Sequence, residues 1–297
     1  MARAVGSVLD QAFTAGDLEV IVVNDSGEPL PAGDWQSSPR VRQIETSGRR
    51  GPSLARNAGA AIARGRYLHF LDDDDWLLPN ALDAFWELSQ RAARADWLYG
   101  GIRLVNDAGL TLREFNPGLD GNIHTQLVAG AWITLVASLI RREAFVAAQG
   151  YEPSLAISEE IDLGRRLTRR GDVAQTPAVV ACVLRGGGGH TSTINGPLGP
   201  EINRWSRDRA LAMPGAFGRL LGSAHTAYWR GRVLQAYLAA AHWNWTRGQY
   251  TASANRAGYA MLSLALASPS WLSGDYWQAV RDAQVPFSAG RVLSGLV

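Results

Sequence analysis

Residues 18–23, Leu-Glu-Val-Ile-Val-Val, form a short β-branched apolar run closed by Asn24-Asp25-Ser26-Gly27. That is the pattern of a buried strand running into a polar turn. Ahead of it, Val5, Val8, Leu9 and Phe13 recur at helical spacing, so the chain opens helix, then strand. Pro52 precedes an alanine-rich stretch, Leu54 to Arg64, that stops at Gly65 and gives way to Tyr67-Leu68-His69-Phe70-Leu71. The pattern predicts a helix, a glycine stop and a second strand, with Asp72 to Asp75 at that strand's carboxyl end. Pro79 opens a further helix to about Ala95, and Trp97 to Val105 reads as a strand. Such alternation predicts an α/β fold with a mainly parallel sheet.

Farther on, Leu139 to Phe145 reads as a helix leading to Gly150 and Tyr151. Ser158 is placed to cap a helix that reaches Arg170 and stops at Gly171. Val179 to Leu184 is the last predicted strand, and Gly186 to Gly189 predicts a mobile loop. Past residue 200 the periodicity is helical only: Tyr228 to Trp245, a turn at Arg247-Gly248-Gln249, and Tyr250 to Leu266 before Ser268-Pro269. The expected organisation is an α/β domain over residues 1–197 and a helical appendage over 198–297.

Charge sharpens that division. The formal net charge is +2, yet residues 1–195 carry 19 arginines against 23 acids, and residues 196–297 carry 10 against 4. Six of the eleven tryptophans also fall in the last third, from Trp205 to Trp277. Arginine with tryptophan suits an anionic, partly apolar surface such as a bilayer interface, while plain helix packing explains the same residues. Every basic residue is arginine, which excludes a Schiff-base lysine or a P-loop lysine. The lone Cys182 excludes an intramolecular disulfide framework and a thiolate zinc cluster. The first residues lack the apolar run of a secretory signal, and no stretch reaches the roughly 18 apolar residues of a membrane span. The expected location is the cytoplasm, with peripheral attachment at the inner face of the membrane as the variant the basic tail suggests.

Four adjacent aspartates, Asp72 to Asp75, repel one another and call for a cation or full solvation. Hard oxygen ligands at the mouth of a sheet favour Mg²⁺ or Mn²⁺, with substrate phosphates completing the shell. In extended backbone Asp72 and Asp74 would face one way, Asp73 and Asp75 the other. Asn24 and Asp25 belong to the same rim, where Asp25 has acceptors for a base or ribose; an Asx turn explains them equally well. Arg56 lies in the helix entering the acidic strand and offers a planar cation to base or phosphate. Glu159, Glu160 and Asp162 crowd the first turn of the Ser158 helix, where the helix dipole alone favours carboxylates. The alternative is that one of them is a general base. His190, after the glycine run, is a further candidate metal or phosphate ligand.

In order, VVNDSG, SLARNAGAAIARGRYLHFLDDDDWLLP and GYEPSLAISEEIDLGRRLTRRG make the chain resemble family 2 glycosyltransferases of the GT-A fold, a Rossmann-like mixed sheet flanked by helices. The resemblance spans residues 4–195. It implies an inverting transfer from a nucleotide-diphosphate sugar, assisted by Mn²⁺ or Mg²⁺, to a glycan, lipid-linked or small-molecule acceptor, with no nucleic-acid partner. Carried over to this chain, it has Asp25 meet the base, Arg56 hold the nucleotide, Asp72 and Asp73 face ribose and diphosphate, and Asp74 bind the metal. Where the family has Glu-Asp, this chain has Glu159-Glu160, so Glu160 inherits the base, with Glu159 second. Family members begin with a strand and a Pro-Thr-Tyr-Asn-like turn, whereas this sequence begins in the following helix. The expectation is a start upstream of residue 1, with backbone beside the absent strand left without partners.

Two other readings compete. FLDDDD contains the Asp-x-Asp of haloacid-dehalogenase-like phosphatases, although their first-strand placement and lysine are both missing here. A truncated, non-catalytic transferase relative, whose helical tail binds a partner, a membrane or a second copy, is the third. The tail itself resembles one tetratricopeptide-like hairpin, too little for a solenoid.

Overall fold

The computed structural model describes residues 1–155, 158–185, 205, 208–221 and 223–282. In chain order its elements are α1 (Ala2–Leu9), β1 (Val20–Asn24), β2 (Val41–Glu45), α2 (Pro52–Ile62), β3 (Tyr67–Leu68), β4 (Trp76–Leu77), α3 (Ala81–Arg91), β5 (Trp97–Val105) and β6 (Thr111–Phe115). These are followed by α4 (His124–Ala129), β7 (Ser138–Arg141), α5 (Arg142–Ala147), α6 (Glu159–Thr168), β8 (Val173–Leu184), α7 (Ala216–Leu221), α8 (Thr226–Trp245), α9 (Tyr250–Leu266) and α10 (Gly274–Asp282). The chain divides into two compact units. The first holds residues 1–123 and 133–190, the second 124–132 and 191–297.

In the first unit β1 and β2 form a parallel pair of their own, in register from Val20 opposite Val41 to Asn24 opposite Glu45. The larger sheet runs β3-β7-β5-β8-β4, with β6 also on β5. Only β5 and β8 are parallel in it; the β3–β7, β5–β7, β4–β8 and β5–β6 pairs are antiparallel. The expectation of a mainly parallel sheet is therefore corrected to a mixed one. The nine-residue β5 is the hub because its first six residues are buried on both faces. A strand covered on both sides reads as a continuous apolar run, as this one does. Phe85 and Leu88 of α3 seal it with Ile102 and Val180, and each fully buried side chain of that size contributes about 1.5–3 kcal/mol.

Leu139 to Arg141 is strand, not helix. Ile140 is fully buried and pairs with Leu68 on one side and Trp97 on the other, so sheet closure overrides the helical spacing. The predicted strand at 67–71 pairs only over Tyr67–Leu68, and Asp72 to Asp75 lie in a turn closed by the Asp75 amide on the Asp72 carbonyl (3.2 Å). In α2, Pro52 takes the first turn and Gly59 packs against Val23 of β1.

The second unit is helical. Among its described residues α8 packs against α9 and α10, burying Leu234, Ala260 and Tyr276 in one cluster and Leu220, Tyr228 and Trp229 in another. Gly231 of α8 lies directly on the Tyr276 carbonyl of α10, a contact only glycine allows. No described helix is long and apolar enough to cross a membrane.

Candidate active site

Arg56 is the hinge of the site. Its helix carries the guanidinium to the end of the β3 segment, where Nη2 donates to Asp72 Oδ1 at 2.7 Å and Nη1 to Glu159 Oε1 at 2.9 Å. The flat face of the group lies over the Tyr151 ring, 5.2 Å from its centroid. Asn57, the next residue, clamps Tyr151 from both sides, donating to its carbonyl and accepting from its amide, each at 2.8 Å. Burial disfavours the charge on Arg56, but Asp72 and Glu160 outweigh it and keep the guanidinium protonated. One fork therefore ties α2, the acid turn and the first turn of α6.

The acid turn gathers three carboxylates. Oxygens of Asp72, Asp74 and Asp75 all lie within 4.8 Å of one another, whereas Asp73 is exposed. Strict alternation would have grouped Asp72 with Asp74 alone. The turn brings in Asp75, which sequence reasoning missed; its position before β4 was the available signal. Asp75 is 5% exposed and accepts the Leu184 amide at 2.9 Å. Burial first, then the charges of Asp72 and Asp74, push its carboxyl up to about 7. Three carboxylates held this close offer the oxygen donors that a hard divalent cation takes, so the residues present could hold Mg²⁺ or Mn²⁺.

Glu160 sits beside this cluster. Desolvation, reinforced by Asp72 and Glu159, raises it to about 7, with Arg56 and a hydrogen bond from the Leu135 amide opposing. Glu159, 9% exposed, is occupied by its ion pair to Arg56. Of the two adjacent glutamates, then, Glu159 is a strut and Glu160 is perturbed toward a neutral-range acid.

Asp25 is held by its own loop. Its carboxylate accepts from Thr46 Oγ1, from the Arg50 amide at 2.9 Å and from the Gly51 amide at 2.8 Å. Burial raises the carboxyl, but these donors outweigh it and hold the group below the ordinary aspartate value. Asn24 is 5% exposed and shapes the following turn, donating to the Glu28 carbonyl and accepting from the Ser26 amide. Its side chain is spent on backbone. Asp25, Arg56, Asp72 and Asp73 line one cleft. His190 and the glycine loop at 186–189 lie outside the described residues.

Residues 1–117 match the profile of the family described as glycosyl transferase family 2. Succinoglycan biosynthesis protein ExoO of Rhizobium meliloti (strain 1021) is 39% identical over 116 residues, 38% of this chain and 32% of that protein. An uncharacterized glycosyltransferase of Methanocaldococcus jannaschii is 28% identical over 120 residues, 39% of this chain and 41% of its own length. The chain thus spans about a third to two fifths of these relatives. Among solved structures, Staphylococcus aureus TarS in complex with UDP-GlcNAc superposes with a TM-score of 0.55 over 84% of each chain at 14% identity, a likeness of fold.

Proposed function

We propose that this chain, whose residues 1–117 match glycosyl transferase family 2 and whose fold is GT-A, moves a sugar from a nucleotide-diphosphate sugar to an acceptor hydroxyl with inversion. The observation that carries the reading is the Arg56 fork, which sets the α6 carboxylates against the acid turn. Asp72, Asp74 and Asp75 are the residues that would hold Mn²⁺ or Mg²⁺; the bound ion would neutralise charge on the departing diphosphate. Asp25 and Arg56 flank the nucleotide, and exposed Asp73 faces its diphosphate side.

Glu160 is the general base. Ionised, it takes the proton of the acceptor hydroxyl; that oxygen bonds the anomeric carbon on the face opposite the diphosphate, whose bond to carbon breaks with the electron pair leaving on oxygen. A carboxyl raised to about 7 holds a transferred proton far better than an ordinary glutamate does.

The acceptor is a glycan, lipid-linked or small-molecule hydroxyl, in keeping with the succinoglycan biosynthesis in the name of ExoO. The reaction is placed in the cytoplasm. The exposed Trp245, Leu266 and Trp271 of the helical unit suit peripheral attachment or self-association. The phosphatase reading loses its support because the acid turn is shared with α6 carboxylates and the matched family transfers sugars. The test is turnover of a panel of UDP-, dTDP- and GDP-sugars with Mn²⁺, beginning with UDP-GlcNAc, the donor bound to TarS. Sugar release or transfer that is lost in Glu160→Gln supports the reading; failure to bind any nucleotide defeats it.

A further inference from the structure

In the helical unit α9 is fastened to α8 along one narrow stripe. Ser253 donates to the Ala241 carbonyl at 2.8 Å, Tyr259 stacks on Tyr237, and Ser253, Ala260 and Ala267 are buried. On the opposite side Thr251, Asn255, Gly258, Leu262 and Leu266 recur at helical spacing, and a methyl group added at Gly258 would meet nothing. A helix that faces water ordinarily carries charges opposite its buried stripe. This one carries none there: the half-buried Arg256 is the one charged residue of α9.

The apolar surface continues past both ends of the helix. Met261 and Leu266 are 69% and 68% exposed, and Trp271 and Leu272 are exposed in the turn that follows. The Trp277 indole donates to the Trp271 carbonyl at 2.7 Å, which holds a further exposed ring against that turn. At the other end Trp245 is exposed and meets the Tyr250 ring edge-on, with centroids 5.0 Å apart. Aromatic rings flanking an aliphatic face suit a bilayer interface, where each ring keeps an apolar body and a polar edge satisfied at once. Exposed apolar surface of this extent marks an interaction site.

Charge names the partner. From Ser223 to Gly274 the sequence has four arginines, Arg230, Arg232, Arg247 and Arg256, and no acid; Asp275 is the first that follows. Arg247 is exposed at the turn between α8 and α9, and Arg281 is exposed one helical turn beyond Trp277. A second copy meeting this face about a two-fold axis would set arginine against arginine with no carboxylate of the stretch between them. A bilayer with anionic headgroups answers both features, taking the aliphatic side chains into its acyl boundary and the arginines at its phosphates.

We propose that α9 and the 270–272 turn form a docking face for an anionic bilayer, on which the helix lies in the membrane plane. The inference rests on the peripheral attachment proposed for this unit and names its face and the charge of its lipid. It is separate from the chemistry assigned to Glu160. No described helix is long and apolar enough to cross a membrane, so the face lies on the bilayer instead of spanning it.

Cosedimentation of the full chain with vesicles tests this without turnover. Phosphatidylcholine vesicles containing phosphatidylglycerol should bind the chain at least tenfold more tightly than phosphatidylcholine alone, with a blue shift of tryptophan emission and weakening as salt rises. Leu262→Glu combined with Leu266→Glu, both at exposed positions, should cost at least tenfold in anionic binding while helical circular dichroism is unchanged. Arg247→Gln, in the turn, should weaken anionic binding about threefold to fivefold. No binding to the anionic vesicles overturns the proposal, as does equal binding to both compositions. Anionic binding untouched by the two glutamates and by Arg247→Gln leaves attachment standing and overturns this face. A dimer in sedimentation equilibrium that the two glutamates dissociate also overturns it, assigning the face to a second copy.

Discussion

Arg56 and Asp72 meet at 2.7 Å across the gap between α2 and the acid turn, and the same guanidinium reaches Glu159. Removing it leaves a buried glutamate without its cation. Arg56→Ala is expected to lower unfolding stability by about 3 kcal/mol, the range for breaking a buried pair. Arg56→Lys keeps the charge but not the fork, so it should restore much of the stability while nucleotide binding stays weakened about tenfold or more. Urea melts and nucleotide titration of the two variants separate these effects; equal binding by wild type and lysine variant would deny the fork a role.

The two raised carboxyls make pH a direct probe. Glu160 and Asp75 hold their protons more tightly folded than unfolded, so their contribution to stability is complete below about pH 4 and is lost as pH rises toward 7. Asp25 has the opposite sign, stabilising above its ordinary value and losing that contribution as pH falls through its depressed folded one. If Glu160 is the base, kcat/KM rises with pH through about 7, the range in which both Glu160 and Asp75 ionise. A rate profile flat from pH 5.5 to 8.5 would remove Glu160 from that role.

The Asp25 loop offers a local test. Arg49 and Arg50 stand in a segment held by Asp25, which takes the Arg50 and Gly51 amides on its carboxylate and the Arg49 amide on its carbonyl. Asp25→Ala should expose the 46–51 loop, giving faster trypsin cleavage after Arg49 and Arg50 at pH 7 and a stability loss of about 1–2 kcal/mol. Unchanged cleavage there would show that the loop holds its shape without the carboxylate.

In the helical unit Gly231→Ala places a methyl group on the Tyr276 carbonyl. The helices must separate, at a cost of about 1–3 kcal/mol. Thermal melting monitored by helical circular dichroism measures it, and a variant as stable as wild type would mean that α8 and α10 slide freely.

What the sequence makes legible is what short-range pattern controls. The β1 run, the helix after Pro52, the β5 run and the α8–α9 hairpin are all periodic enough to read, and the three motifs single out Arg56, Asp72 and Glu160, which the structure brings near one another. Long-range pairing is not legible. Leu139 to Arg141 has helical spacing yet is held as strand between β3 and β5. Asp75 joins the acid cluster only because a turn replaces the extended backbone that alternation assumes. That the Arg56 fork reaches Glu159, while Glu160 is left raised toward neutrality, is likewise a matter of tertiary placement.

The claim on which the account rests is that the acid turn and Glu160 form one metal-dependent transfer site, and calorimetry of UDP binding with and without Mn²⁺ tests it most directly. Wild type should bind UDP with Mn²⁺ and lose at least tenfold in affinity when the ion is chelated. Asp74→Ala should bind as weakly with the ion as wild type does without it. Glu160→Gln should bind as wild type does while releasing no sugar from the donor it accepts. Binding indifferent to Mn²⁺ and to Asp74 would contradict the account.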